Sequence, residues 1–401
     1  VVCGNMQEKC EGEKLYTSQV DIASILCAIR LAVLHNLLVS AIDVKAAFLY
    51  ASLPSSMKIC VRPPSAWVHL GLVNRGEVWA LRKALYGLRV APRLWGEERD
   101  QKLRELTWTV KGRAYHLVQC SIDGCVWVVR LCASTAPAPL GVRQEQESLC
   151  EFWGLLVTYV DDLLILVRAG LVRQGLLAKI VALWDCSSEM VLSYNNPLTF
   201  SGLELCYTVS SEQNLEVHQR KYIEQLLVKY GLESAKPIGC IAMQKDIDTD
   251  EPDENELHDL QCRAGELNWL ATRTRPDIAY MVSVLASMLK KSKHWALMLA
   301  QKVLRYLIGT RSVGINFVKP SGTHTGALCQ DLCLDIFSDA GFAGQGTRSQ
   351  TGVLVALSGS PVLWRSARQT TSATSTGEAE LTAAALAVQC GVGMKYLIEE
   401  W

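Results

Sequence analysis

Apolar residues recur along this chain with two different periods. At residues 20–35 they fall at helical spacing, and the same spacing returns at 95–106, 219–230, 257–273, 276–290 and 293–308. Gly231 closes the 219–230 helix, and Pro276 suits a first helical turn. Elsewhere the runs are short, aliphatic and β-branched. Leu155 to Val160 and Leu163 to Val167 flank the pair Asp161-Asp162 and predict a tight hairpin whose tip exposes both acids. Further strands are expected at 197–207, 215–218, 334–339, 352–357 and 361–364. Glu378-Ala379-Glu380-Leu381 opens a helix of strong formers. Residues 133–147, rich in Ala, Pro, Gly and Gln, read as an inserted loop, and 320–326 as a Gly-rich link; no internal repeat is present.

Composition narrows the class. A chain of 401 residues predicts two to three domains, and 49% hydrophobic content is ample for their cores. The 15 cysteines are odd in number, scattered, without a CxxC pair and with few histidines near them, so buried reduced thiols are expected rather than zinc or disulfides. With no stretch reaching the length of an uncharged membrane span and no signal peptide, the expectation is a soluble cytoplasmic protein with no membrane partner. Forty basic and 40 acidic residues cancel, so any polyanion contact must rest on local patches. Two candidates are Arg82, Lys83, Arg89 and Arg93, and Lys290, Lys291, Lys293, Lys302 and Arg305; a solvated helix face is the alternative for each. Acids gather instead at 246–259, which reads as an exposed linker.

Adjacent carboxylates repel, and Asp161-Asp162 makes chemical sense mainly beside a divalent cation; a solvated turn is the bland alternative. Asp43 ends an apolar segment and precedes a small, apolar one, so it could join the pair from a separate strand. Such a sparse carboxylate set suits Mg²⁺ that also holds nucleotide phosphates and a primer hydroxyl. In residues 78–95, Gly87 and Pro92 stand among basic and aromatic residues, a composition that can approach phosphates closely.

In order and spacing, DVKAAFLYASL, VWALRKALYGLRVAPRLW, YVDDLLI, FSGLEL, HQRKYIEQLL and TRPDIAYMVSVLA resemble the reverse transcriptase of copia-type LTR retrotransposon Pol polyproteins. SDAGFAG, TRSQTGVLVALSGSPVLWRSARQ and STGEAEL resemble the ribonuclease H that follows it. The resemblance implies an α+β fold: fingers remnant and palm at 1–243, acidic linker at 244–256, helical thumb or connection at 257–318, and an incomplete ribonuclease H-like α/β domain at 319–401. It implies that Asp43, Asp161 and Asp162 are catalytic and bind two Mg²⁺ ions, with Mn²⁺ as an alternative. Phe48 would sit under the sugar of the incoming nucleotide and reject a 2′-hydroxyl, an ordinary core Phe being its alternative. Tyr86 and Gly87 would contact nucleotide and template, Pro92 would turn the loop into the next helix, and Tyr159 would pack beside the acids and the primer end.

For the ribonuclease H part the resemblance implies Asp339 and Glu380 as metal ligands, with Glu378 the competing choice; Gly341 and Phe342 stand where the family commonly has Asp and Trp. Its third acid is expected beyond Trp401, and the fingers Lys and Arg before Val1, where residues 1–7 resemble the end of the fingers. The implied partners are an RNA or DNA template with primer, deoxynucleoside triphosphates, and other Pol-derived proteins such as integrase and protease, in a cytoplasmic virus-like particle. Two other readings stay open: a catalytically silent retroelement remnant that at most binds nucleic acid, and a metal-dependent nuclease acting through Asp339 and Glu380.

Overall fold

The computed structural model describes residues 15, 17–132, 152–208, 211–242, 250–319, 332–343 and 348–401. The N-terminal residues 1–7, the loop expected at 133–147, the stretch 244–249 of the acidic linker and the link at 320–326 lie outside the described residues. The chain forms two compact units, one of residues 1–20 and 40–189, the other of 21–39 and 190–401.

Helix α1 (Ile22–Leu34) starts at an Asp21 cap, whose carboxylate accepts from the Ala23 N–H at 2.8 Å. Strand β1 (Leu38–Asp43) follows, and its residues 40–43 belong to the first unit. That unit continues with α2 (Ala91–Glu105), β2 (Thr107–Val110), β3 (Arg113–Gln119), β4 (Val126–Leu131), β5 (Gly154–Tyr159), β6 (Asp162–Val167) and α3 (Leu171–Leu183). Its strands run in the order β2-β3-β4-β5-β6-β1, antiparallel from β2 to β6. Helix α2 begins a turn earlier than the apolar spacing predicts: Pro92 lies inside its first turn, where a missing N–H is harmless, rather than in a preceding loop.

The β5–β6 hairpin is central because it is apolar on both faces. Five of the six residues in each strand are buried. Helix α2 packs on β3 and α3 on β2, so the core between them collects Trp95, Trp108, Trp127, Leu156, Ile165 and Leu176. Each such aliphatic side chain removed from water contributes about 1.5–3 kcal/mol.

Three hairpins in the molecule turn through Lys111-Gly112, Ser201-Gly202 and Ser358-Gly359, with φ of 49° and 77°, 49° and 75°, and 46° and 84°. Positive φ at both central residues is the twist-matched two-residue turn that glycine favours at its second position. The Ser201-Gly202 turn corrects one expectation: residues 197–207 are not one strand but two, β7 (Leu198–Phe200) and β8 (Leu203–Thr208).

The second unit continues with β9 (Ser211–His218), α4 (Arg220–Lys229), α5 (Glu254–Ala271), α6 (Ala279–Met288), α7 (Lys293–Gly309) and β10 (Ile315–Phe317). Strands β7 to β10 form one antiparallel sheet, and α4 to α7 share a core of Leu227, Leu267, Leu285 and Val303 among others. Helix α5 starts three residues before the apolar spacing does. The acids expected in a linker build a capping box there: Asp253 accepts from the Glu256 N–H, and the Glu256 side chain accepts from the Asp253 N–H.

Strands β11 (Leu334–Gly341), β12 (Gln350–Leu357) and β13 (Ser360–Arg368) form a further antiparallel sheet, over which α8 (Thr376–Glu400) packs. Helix α8 lays Ala379, Ala383, Ala387 and Gly391 against this sheet, a small-residue stripe that lets helix and strand approach closely. By length and composition α8 is apolar enough to cross a membrane, where the sequence suggested no such stretch. Helix α1 joins the sheet through buried Arg30, which donates to the carbonyls of Val318 at 2.7 Å, Leu357 at 3.1 Å and Ser358.

Gly154 and Gly71 both have positive φ, 139° and 67°, but only at Gly154 would a β-carbon strike backbone, 2.2 Å from the Leu166 carbonyl oxygen. Gly71→Ala should therefore destabilise by about 1 kcal/mol, the left-handed penalty alone. Gly154→Ala should destabilise by more than ~3 kcal/mol, since the β5–β6 pairing must open. Urea unfolding of the two variants checks the difference.

Candidate active site

The hairpin pairs Tyr159 directly with Asp162, leaving a two-residue turn of Val160 and Asp161. This corrects the expectation that both acids sit at the tip: Asp161 is in the turn, and Asp162 is the first residue of β6. Beside them runs the end of β1. The Val44 N–H donates to the Asp161 carbonyl at 3.0 Å, which fixes the spacing between the hairpin turn and Asp43. Asp43 is held in turn by Ser187, whose Oγ accepts from the Asp43 N–H at 2.9 Å and whose N–H donates to the Asp43 carbonyl at 2.8 Å.

The three carboxylates feel one another. Burial raises the Asp43 pKa above the ordinary carboxylate range, and the charge of Asp161 raises it further. Asp162 is pushed up to about 6, by burial first and then by Asp161 and Asp43. Among the described residues no three His, Cys, Asp or Glu side chains are drawn tightly enough to cage a metal ion unaided. The donor set is all oxygen, and its mutual repulsion is the kind a dication relieves.

Phe48 stands on a short 3₁₀ turn, Ala47–Tyr50, with its ring 4.4 Å from that of Tyr86. Tyr86 is 44% exposed, and its hydroxyl is bonded to the backbone of Ala47. Burial, with the nearby charge of Asp161, raises its pKa. Gly87 follows with φ of 96°. The structure thus gathers Asp43, Asp161, Asp162, Phe48, Tyr86 and Gly87 in one region of one unit, with Tyr159 opposite Asp162 on the hairpin. Lys45 pairs with Asp185 at 3.1 Å beside this region, but both side chains are more than half exposed, so the pair is worth at most about 1 kcal/mol.

Sequence reasoning missed two groups that hold the hairpin turn. The Trp95 indole N–H donates to the Val160 carbonyl at 2.8 Å, and Arg99 Nη1 donates to the same oxygen at 3.1 Å. A Trp and an Arg four residues apart on a helix was the available signal; the partner, 65 and 61 residues away, was not visible.

Of the basic groups singled out above, Arg82 and Lys83 are exposed, whereas Arg93 pairs with Glu97 at 2.7 Å. Lys293 pairs with Glu256, Lys302 donates to the Ala242 carbonyl at 3.1 Å and Arg305 to that of Lys236 at 2.8 Å. Those three are engaged in holding the second unit together.

Asp339 lies on β11 beside a cavity of about 850 Å³ lined also by Phe337, Tyr280, Arg348 and Trp364. Strand alternation puts Ile336 and Ala340 on the face that α8 covers, so Asp339 points away from the helix that carries Glu380. Glu378 is occupied in capping α8: its carboxylate accepts from Thr374 N–H at 2.6 Å and Thr374 Oγ1 at 2.7 Å, contacts that lower its pKa.

Comparison with known proteins finds one kind of relative. Residues 4–125 match the family model described as reverse transcriptase (RNA-dependent DNA polymerase). The whole chain aligns with the retrovirus-related Pol polyprotein from transposon TNT 1-94 of Nicotiana tabacum, at 28% identity over 414 residues covering 28% of that protein. The chain is similar to copia-type Pol polyproteins along its whole length. The Pol polyprotein from transposon RE2 of Arabidopsis thaliana is 28% identical over 94% of this chain and 23% of its own length. A transposon Ty5-1 protein of Saccharomyces cerevisiae is 25% identical over 81% of this chain and 91% of its own length. The chain thus spans about a quarter of the plant Pol polyproteins it matches. Its fold is a mixed α/β arrangement of antiparallel sheets and helices, and the reverse transcriptase family that residues 4–125 match generally uses divalent metals.

Because the folded pKa of Asp162 is raised, the native state holds a proton that the unfolded chain has lost between about pH 4 and 6. Stability without divalent ion should therefore fall as pH rises through that window. Asp162→Asn should flatten the fall, and added Mg²⁺ should raise the melting temperature more at pH 7 than at pH 5. Thermal unfolding across pH, with and without Mg²⁺, checks the sign.

Proposed function

We propose that the chain is the RNA-directed DNA polymerase portion of a copia-type element, adding deoxynucleotides to a primer 3′-hydroxyl on an RNA or DNA template. The observation that carries the reading is the convergence of Asp43, Asp161 and Asp162, from two backbone segments more than 100 residues apart, beside the tilted ring pair Phe48 and Tyr86. In this reading 1–243 is fingers remnant and palm, 257–318 thumb or connection, and 319–401 a ribonuclease H-like domain. The working place would be a cytoplasmic particle shared with integrase and protease.

In this reading Asp43, Asp161 and Asp162 would hold two Mg²⁺ ions, an all-oxygen donor set of the kind such ions take. Bound there, the ions supply Lewis acidity to the attacking hydroxyl and to the departing pyrophosphate. The rest is positioning by the protein. The main-chain bond from Val44 to Asp161 keeps Asp43 in register with the hairpin acids. Phe48, braced by Tyr86, presents a ring to the sugar and excludes a 2′-hydroxyl by volume. Gly87 leaves room for backbone to approach the template.

The test is Mg²⁺-dependent extension of a DNA primer on an RNA template. Asp161→Asn should reduce extension by on the order of 10²–10³-fold or more, as expected when charge stabilisation at the reacting phosphate is lost. Phe48→Ala should keep extension but admit ribonucleotides, lowering discrimination by roughly 10–100-fold in paired single-nucleotide assays. Absence of extension from the folded parent chain would support the silent-remnant reading instead.

A further inference from the structure

We propose that Trp95 and Arg99 are positioning residues for the aspartate turn, setting the placement of Asp161 and Asp162 through the carbonyl of Val160. The inference rests on the polymerase reading only for what the carboxylates do.

Val160 has φ of 54°, in the left-handed region that a β-branched residue avoids. Among the described residues the two-residue turns Lys111-Gly112, Ser201-Gly202 and Ser358-Gly359 reach positive φ with a glycine, whereas Val160-Asp161 has none. A conformation of this kind persists only where its surroundings hold it. Two donors from one face of α2 do so: Trp95 Nε1 at 2.8 Å and Arg99 Nη1 at 3.1 Å, both on the Val160 carbonyl oxygen. The next carbonyl, that of Asp161, accepts from Val44. Successive peptide groups on either side of the Asp161 α-carbon are therefore pinned, one to α2 and one to the Asp43 segment.

Both donors are themselves fixed. Trp95 is 1% exposed, with its ring edge-on to Trp184 at 5.5 Å and tilted against Tyr50 at 6.2 Å. Arg99 is 3% exposed, and its Nε and Nη2 both donate to Asp100 Oδ1, at 2.9 and 2.7 Å. Asp100 Oδ2 in turn accepts from Gln119 on β3 at 3.2 Å. The guanidinium thus keeps one side for its counter-charge and the other for the turn, a division its planar fork permits.

The test separates this hydrogen bond from packing. Trp95→Phe removes the N–H and keeps most of the ring; Trp108→Phe is the control, because Trp108 is a buried Trp of the same core whose indole N–H has no partner among the described residues. Arg99→Lys is the second variant, keeping the charge but losing the fork. Hydrogen exchange in peptides covering 154–167 is expected to speed up about tenfold in Trp95→Phe and Arg99→Lys, and to stay at the parent rate in Trp108→Phe. Mn²⁺ affinity, followed by electron paramagnetic resonance with Asp161→Asn marking the site, is expected to weaken about tenfold in the first two only. Parent-like exchange in Trp95→Phe and Arg99→Lys, or equal change in Trp108→Phe, overturns the proposal. If the parent shows no Asp161-dependent Mn²⁺ binding, the polymerase reading fails, and the exchange data alone decide whether the turn is clamped.

Discussion

The mutual repulsion of Asp43, Asp161 and Asp162 is the constraint around which the first unit is built. Burial and proximity make the charges of Asp43 and Asp162 harder to sustain, as their raised pKa values record. Something must hold the carboxylates together when they would relax apart. The scaffold is main chain: β5 and β6 are buried almost completely, β1 lies beside them, a backbone bond from Val44 to Asp161 joins the two acid-bearing segments, and Ser187 holds the backbone of Asp43. Hydrophobic burial of the hairpin thus supplies the stability that the polar tip gives up.

Much of this was legible in the sequence, for a definable reason. A continuous aliphatic run broken by two acids has few folded solutions, and the antiparallel hairpin is one that buries both faces of each strand. Helices α1, α5, α6 and α7 were visible through their apolar spacing, their boundaries less so. Those boundaries were set by caps: Asp253 and Glu256, which in composition look like linker, start α5, and Pro92 starts α2 inside what reads as a loop. The split of 197–207 into two strands was signalled by Ser201-Gly202, a dipeptide whose turn chemistry outweighs the apolar residues around it.

What could not be read was whatever depends on which distant residues meet. The spacing of Trp95 and Arg99 says only that they share a helix face; that the face meets the Val160 carbonyl requires the fold. The same holds for Lys302 and Arg305, which as bare sequence suggest a polyanion contact and in the structure grip the carbonyls of Ala242 and Lys236. Asp339 and Glu380 illustrate the opposite case. Family spacing suggests a pair, while strand alternation turns Asp339 from the helix that carries Glu380.

Holding the turn by a carbonyl rather than by a side chain separates two things that active sites often entangle. Every residue except proline offers the same peptide oxygen and N–H in the same place, so what stands at position 160 can change its chemistry without disturbing the bonds from α2. Its limit is backbone preference at φ of 54°, not loss of a contact. A lineage could therefore retune the surface next to the acids, in bulk or polarity, by single substitutions there while the carboxylates stayed where they are.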